Sequence, residues 1–494
     1  MRQRTTFFHH NDDAIDPLAL KVSGRSITGP NIKAVREDRF TFGLEELPHE
    51  LQQLLEITPE LHLRWIPSTT YDTLASGPWT SRLPAGLHVF YTPQEAENSS
   101  DPICVFLHNL VPFENCSESL RYFSRLPNDR FSHSTAYQAY LPLDDLGSFS
   151  EYASQYLCSA ADDDCKRHID DLKSAKSLDF SYDTISHVVK ITVLWGFEEQ
   201  PLDVTGHSDH RVEVGLLTPN HPEHLEDYEL GVAGLLTVLG EDKKPSPVMF
   251  SFPTRHKAST ATFNSSFSSP LGLHPTLQLS IESSQPPMAD TFCSLHAYFT
   301  LPNTIFADKY QFDDSLFLSS KNLTALRYIS QPVDLEAPSY VMKLWGSSAL
   351  LELKPPETGE GFTADIPLHL RYQAPRSGGE ASFNLPYPAV FWTCAAEEGT
   401  KFPTNPFDRI NLGYDGLFGP RTLFWHLNPA PQNGSLMLNG SVPVLDLDKA
   451  YWVSTFTGTA VLIGFAWVVW KLLAVFGRSG YGQPTKAEAA KKIQ

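Results

Sequence analysis

The sequence lacks the short signatures that mark most enzymes. It has no Cys-x-x-Cys pair, so its cysteines do not suggest a zinc site. It has no P-loop, no dinucleotide-binding glycine fingerprint and no visible internal repeat. Basic charge is scarce: 38 Lys and Arg stand against 57 Asp and Glu, a formal net charge of −19. Bulk attraction to nucleic-acid phosphates is thereby excluded, and no nucleic-acid partner is expected. The start, MRQRTTFFHHNDDAIDP, opens basic but has no apolar run of about 7–15 residues, so no signal peptide is expected there. Long apolar runs are missing everywhere but once.

What is present is the composition of a folded protein, 41% hydrophobic and 19% charged over 494 residues. That length predicts more than one domain. Phe (31) and Pro (38) are abundant, and many stretches alternate apolar with polar, so the expected fold class is mainly β. RFTFGL, LHLRWIP, LHVFYTP and SHVVKITVLWGF read as strands of a β-rich mixed domain over 1–240. LEELPHELQQLLEI has helical spacing, with Leu51, Leu54 and Leu55 on one face. Residues 241–270 are rich in Ser, Thr and Pro and are expected to be a linker. A β-sandwich-like domain is expected over 271–445, with HPTLQLSI, CSLHAYFTLP, ALLELK, IPLHLRYQAP and AVFWTC as strands.

The one long apolar run is YWVSTFTGTAVLIGFAWVVW, Tyr451–Trp470. As a helix it would be about 30 Å long, the thickness of a bilayer's hydrocarbon core. Tyr451, Trp452, Trp467 and Trp470 stand where interfacial aromatics belong, and Lys471 can snorkel. A transmembrane helix is expected over 451–476, with a tail at 477–494. Lys471, Arg478, Lys486, Lys491 and Lys492 follow the run, against one Glu488, so the tail is expected in the cytosol and the bulk in a lumen. Lys491 and Lys492, third and fourth from the end, resemble a dilysine retrieval signal of the endoplasmic reticulum. Asn98, Asn115, Asn264, Asn322, Asn433 and Asn439 each open a glycosylation sequon, all before the run. The missing signal peptide leaves a second topology open, a tail-anchored adaptor facing the cytosol.

Six cysteines allow 15 pairings. Cys104 with Cys116, and Cys158 with Cys165, are the local pairs to test, and free thiols remain open. Candidate chemistry is thin. Asp162–Asp164 contains the Asp-x-Asp spacing of many glycosyltransferases, but acids before CKRHIDDLK also suit a helix start. GHSDH offers His207 and His210 without a third ligand. His369 and Arg371 in IPLHLRYQAP sit two apart on a strand whose Ile366, Leu368, Leu370 and Tyr372 form the apolar face. They are read as a wet face or a partner-facing patch. No catalytic, cofactor-binding or metal-binding residue is expected.

CSLHAYFTLPNTIFADKYQF, DLEAPSY, IPLHLRYQAP and PYPAVFWTC occur in an order that resembles the phosphatidylinositol-glycan class X proteins. NPFDRINLGYDGLFGP and the single carboxyl-terminal helix resemble its fungal branch, the protease B nonderepressible family. The resemblance covers roughly Leu271 to Phe476. It implies a single-pass glycoprotein of the endoplasmic reticulum with no catalytic residues of its own. It further implies a subunit of glycosylphosphatidylinositol (GPI) mannosyltransferase I, whose multi-pass catalytic partner adds the first mannose to the anchor precursor. A lumenal chaperone with several clients, and a glycosyltransferase using Asp162 and Asp164, remain the rival expectations.

Overall fold

The structure is a computed structural model. It describes residues 1–10, 15–74, 82–93, 102–110, 119–127, 136–156, 158, 163–206, 210–220, 224–226, 228–289, 291–330, 334–397, 399–402, 405–409 and 411–479. Strands dominate, as the alternation predicts.

The chain forms two compact units. The first comprises Met1–Tyr372 and Phe383–Gly440. An eleven-stranded sheet runs in the order Ser246–Pro253, Glu229–Val238, Arg211–Pro219, Arg2–Phe8, Ile32–Gly43, Val188–Gln200, Ser177–Asp183, Glu60–Ile66, Gly86–Thr92, Tyr137–Leu141 and Ser124–Arg125. Arg2–Phe8 runs parallel to Arg211–Pro219 and antiparallel to Ile32–Gly43. Helices cover one face. Leu54 and Leu55 of His49–Glu56, with Ile103 and Leu107 of Pro102–Leu110, pack on Leu61, Leu63 and Trp65.

An eight-stranded sheet follows, in the order Leu323–Ile329, Gly346–Leu353, Cys293–Pro302, Ala389–Ala395, Thr422–Pro429, His256–Phe267, Thr276–Ile281 and Phe362–Pro367. It packs on the opposite face of the large sheet. Ile66 and Phe90 share one core with Tyr298, Leu350, Phe391, Tyr414 and Phe424. Strand Glu60–Ile66 is therefore buried on both faces. Its alternating sequence predicts a wet side, but the residues on that side, His62 and Arg64, are polar and buried.

Two expectations need correction. Residues 241–270 are not a linker, since Ser246–Pro253 and His256–Phe267 are strands in the two sheets. Hydroxyl side chains sit readily on the exposed face of a pleat, so a Ser/Thr-rich stretch pairs once neighbouring strands offer backbone partners. IPLHLRYQAP is not one continuous strand. Phe362–Pro367 pairs with Thr276–Ile281, and His369–Leu370 then pairs with Ile305–Phe306. The change of partner breaks the alternation: Arg371 is 5% exposed and Tyr372 67%.

The second unit comprises Gln373–Ser382 and Ser441–Gln494. A parallel backbone β-bridge joins Arg376 and Asp446, and the Lys449 side chain pairs with Asp446 just before helix Ala450–Ser479. The helix contains the whole span predicted at 451–476. Its mean hydropathy is 2.1 and none of its apolar window is covered by protein, so it is long and apolar enough to cross a membrane.

Candidate functional site

A dense polar site lies where residues 405–409 and 411–416 cover the large sheet. Register places Arg39 opposite Arg4 and Thr192, and Asp179 opposite Thr192 and Arg64, so these side chains form a row on one face. Glu37, two residues from Arg39, joins them. Arg409 descends into the row. Its Nε donates to Asp179 Oδ2 at 2.8 Å and its Nη2 to Glu37 Oε2 at 2.9 Å. Arg64 donates to the other Asp179 oxygen at 2.8 Å. Burial works against the ionised Asp179, but Arg409 and Arg64 outweigh it and hold the carboxyl below its usual value. Burial likewise works against the Arg409 cation, and Glu37 and Asp179 outweigh it, so its pKa rises. Burial, with Arg4 and Arg409 nearby, pulls Arg39 down to about 10 despite Glu37.

Turn chemistry holds the segment in place. Asp415 accepts from the backbone N–H groups of Asn411 and Leu412 at 3.0 Å. Gly413 has φ +80°, and a Cβ there would meet the Phe90 ring at 2.8 Å. Asn411 Nδ2 donates to Glu60 Oε1 at 2.8 Å, and the Tyr414 hydroxyl donates to the Arg82 carbonyl at 3.0 Å. Asp408 accepts from the Arg255 N–H at 3.0 Å and from Arg82 at 3.4 Å. These contacts tie residues of both sheets together, which makes the arrangement a clasp between sheets. Sequence reasoning used NPFDRINLGYDGLFGP only for its resemblance. The overlooked signal was an Asp-Arg pair set among turn residues.

Beside the clasp, His256 and His426 share a hydrogen bond of 3.1 Å among Phe391, Tyr414 and Phe424. Burial, then Arg82, holds both well below the usual histidine value. Among the described residues, no group of three or more His, Cys, Asp or Glu is placed to hold a metal ion.

Of the residues singled out from sequence, His369 and Arg371 meet on one ring, that of Phe306. His369 reaches His274 Nδ1 at 2.9 Å and Gln311 at 3.2 Å, and it stacks on Phe306. Arg371 lies over the same ring at 4.5 Å and donates to the Ala337 carbonyl at 2.8 Å. The pair thus braces Phe306 instead of presenting a free fork, and exposed Tyr340, Val341 and Tyr372 flank it. Asp162, His207, Asn98, Asn115, Lys491 and Lys492 lie outside the described residues. Asp164 falls in helix Asp163–Asp171 and His210 just before strand Arg211–Pro219.

Cys104 and Cys158 are disulfide-bonded, and Cys116 lies outside the described residues. Cys293 and Cys394 are bonded across adjacent strands, a pairing the sequence reading did not single out.

These features define a β-rich protein with two packed sheets, a structural polar clasp and one helix able to cross a membrane. The chain belongs to the PIG-X / PBN1 family, whose profile matches residues 270–473. It is 53% identical to protein pbn1 of Neurospora crassa, over 100% of this chain and 99% of that one. Protein PBN1 of Gibberella zeae is 45% identical, with 97% of each chain covered. Protein pbn1 of Emericella nidulans is 39% identical over 97% of each. Among solved structures, the Fcho1 Mu homology domain of Danio rerio gives a TM-score of only 0.11 at 8% identity, over 90% of this chain and 95% of that one, and carries no argument.

Proposed function

We propose that this chain acts in GPI-anchor biosynthesis as a noncatalytic subunit of GPI mannosyltransferase I. It sits in the endoplasmic-reticulum membrane with its bulk in the lumen and its carboxyl terminus in the cytosol. Full-length family membership carries the reading. The clasp agrees with it, since Arg409, Glu37, Asp179 and Arg64 bind one another. Binding that favours the folded catalytic subunit shifts that subunit's equilibrium away from unfolding and degradation.

Two surfaces serve assembly. Along the helix, Gly458 and Ala460, beside Thr457 and Thr459, allow close packing with spans of a multi-pass partner. On the lumenal side, His369 with Tyr340, Val341 and Tyr372 forms the contact patch, and Arg371 supports it from beneath. The lysines at 491 and 492 return the complex to the endoplasmic reticulum. Gentle-detergent purification, followed by identification of co-purifying proteins, tests the reading. A multi-pass mannosyltransferase is the expected companion, and recovering none overturns the assignment.

A further inference from the structure

The sequons become unequal once the chain is folded. Asn264 lies in His256–Phe267, an interior strand flanked by Thr422–Pro429 and Thr276–Ile281. It is half-buried, and the hydroxyl of buried Tyr387 sits 2.9 Å from both its Oδ1 and the Ser265 carbonyl. A glycan on this half-buried side chain, in a strand paired on both sides, would crowd the buried Tyr387 ring. Asn322 is exposed but already engaged. It follows helix Ser315–Ser320 with φ +55°, and its Nδ2, the atom that would carry the sugar, donates to the Thr363 carbonyl at 2.8 Å.

Asn433 differs on each count. It is exposed at the tip of the loop after strand Thr422–Pro429. Its Oδ1 accepts from the Ser435 N–H at 3.1 Å, an Asx turn that uses the oxygen and leaves the nitrogen for chemistry. Gly434, with φ +70°, permits the bend. The loop is pinned on both sides: Thr70 N–H donates to the Gly434 carbonyl at 2.9 Å and Leu436 N–H to the Ser68 carbonyl at 2.7 Å. The sequon is held out on a fixed turn, where a bulky group meets solvent. Asn439 is also exposed, but it lies in strand Met437–Pro443, without such a turn.

We infer that Asn433 carries an N-linked glycan and that Asn264 and Asn322 are bare in the folded protein. The inference rests on the lumenal orientation proposed above. The donor is an oligosaccharide on a lipid diphosphate. A bond forms between Asn433 Nδ2 and the anomeric carbon, the bond from that carbon to the diphosphate oxygen breaks, and Nδ2 releases one proton. No electrons change hands.

The test is glycopeptide mass spectrometry on the full-length chain from its own membrane, with and without an N-glycosidase that converts the modified Asn to Asp. Conversion is expected at Asn433 and not at Asn264 or Asn322. The N433Q variant should fold normally and run one glycan lighter. Conversion at Asn264 or Asn322, or an unconverted Asn433 beside another converted sequon, overturns the inference and leaves the orientation standing. No glycosidase-sensitive mass on any peptide removes the lumenal orientation and the inference with it.

Discussion

Asp179 illustrates how a buried charge is kept at the residue scale. Desolvation alone would raise its pKa, and the guanidinium groups of Arg409 and Arg64 reverse that balance. Arg409 reaches two carboxylates on different strands with one planar fork, a geometry lysine lacks. R409A should therefore destabilise the protein by about 3–5 kcal/mol, because Glu37 and Asp179 stay buried without their shared cation. Denaturant unfolding of the detergent-solubilised chain measures this, and a loss under about 1 kcal/mol would show the clasp to be dispensable. The buried histidines set the pH response. Burial lowers His88 and His296 to about 4, and lowers His256 and His426 well below the ordinary value. Each binds a proton more readily when unfolded. Stability should then be level above about pH 6.5 and fall as pH drops from there towards 4, by up to about 1.4 kcal/mol per pH unit for each histidine. Unfolding midpoints at pH 7, 6 and 5 check the sign.

Among elements, the strand pair Cys293–Pro302 and Ala389–Ala395 sits inside the eight-stranded sheet and is tied at one end by a disulfide. The bond closes a loop with a sequence separation of 101. Replacing both cysteines by alanine should cost about 2–5 kcal/mol, mainly by freeing the unfolded chain. Thermal unfolding with and without reductant would register it, and an unchanged midpoint would show the sheet to be self-sufficient. The amphipathic helix His49–Glu56 was legible from its leucines, because a helix face needs only local spacing. The strands of 246–267 were not legible. Their pairing partners lie on other strands, and local composition carries no record of them.

For the whole molecule, the decisive question is orientation. Protease added outside sealed microsomes should remove only the few tail residues and leave the amino-terminal 450 residues intact. Digestion of that bulk would instead support the cytosol-facing topology. The two sheets behave as one body for a physical reason. They share the core of Ile66, Phe90, Tyr298 and Phe391, and Arg409 of the clasp binds the buried Asp179 and Glu37. Both sheets therefore lie in one compact unit, Met1–Tyr372 with Phe383–Gly440.

The sequence by itself determined the strand-rich class, the long apolar carboxyl-terminal helix, the family and the sequon positions. Each depends on local period, length or short strings of residues. Tertiary structure decided which polar groups are buried, that Arg371 braces Phe306, how Cys293 finds Cys394, and what surrounds each described sequon. Those outcomes depend on segments far apart in the chain, whose encounter only the folded packing specifies.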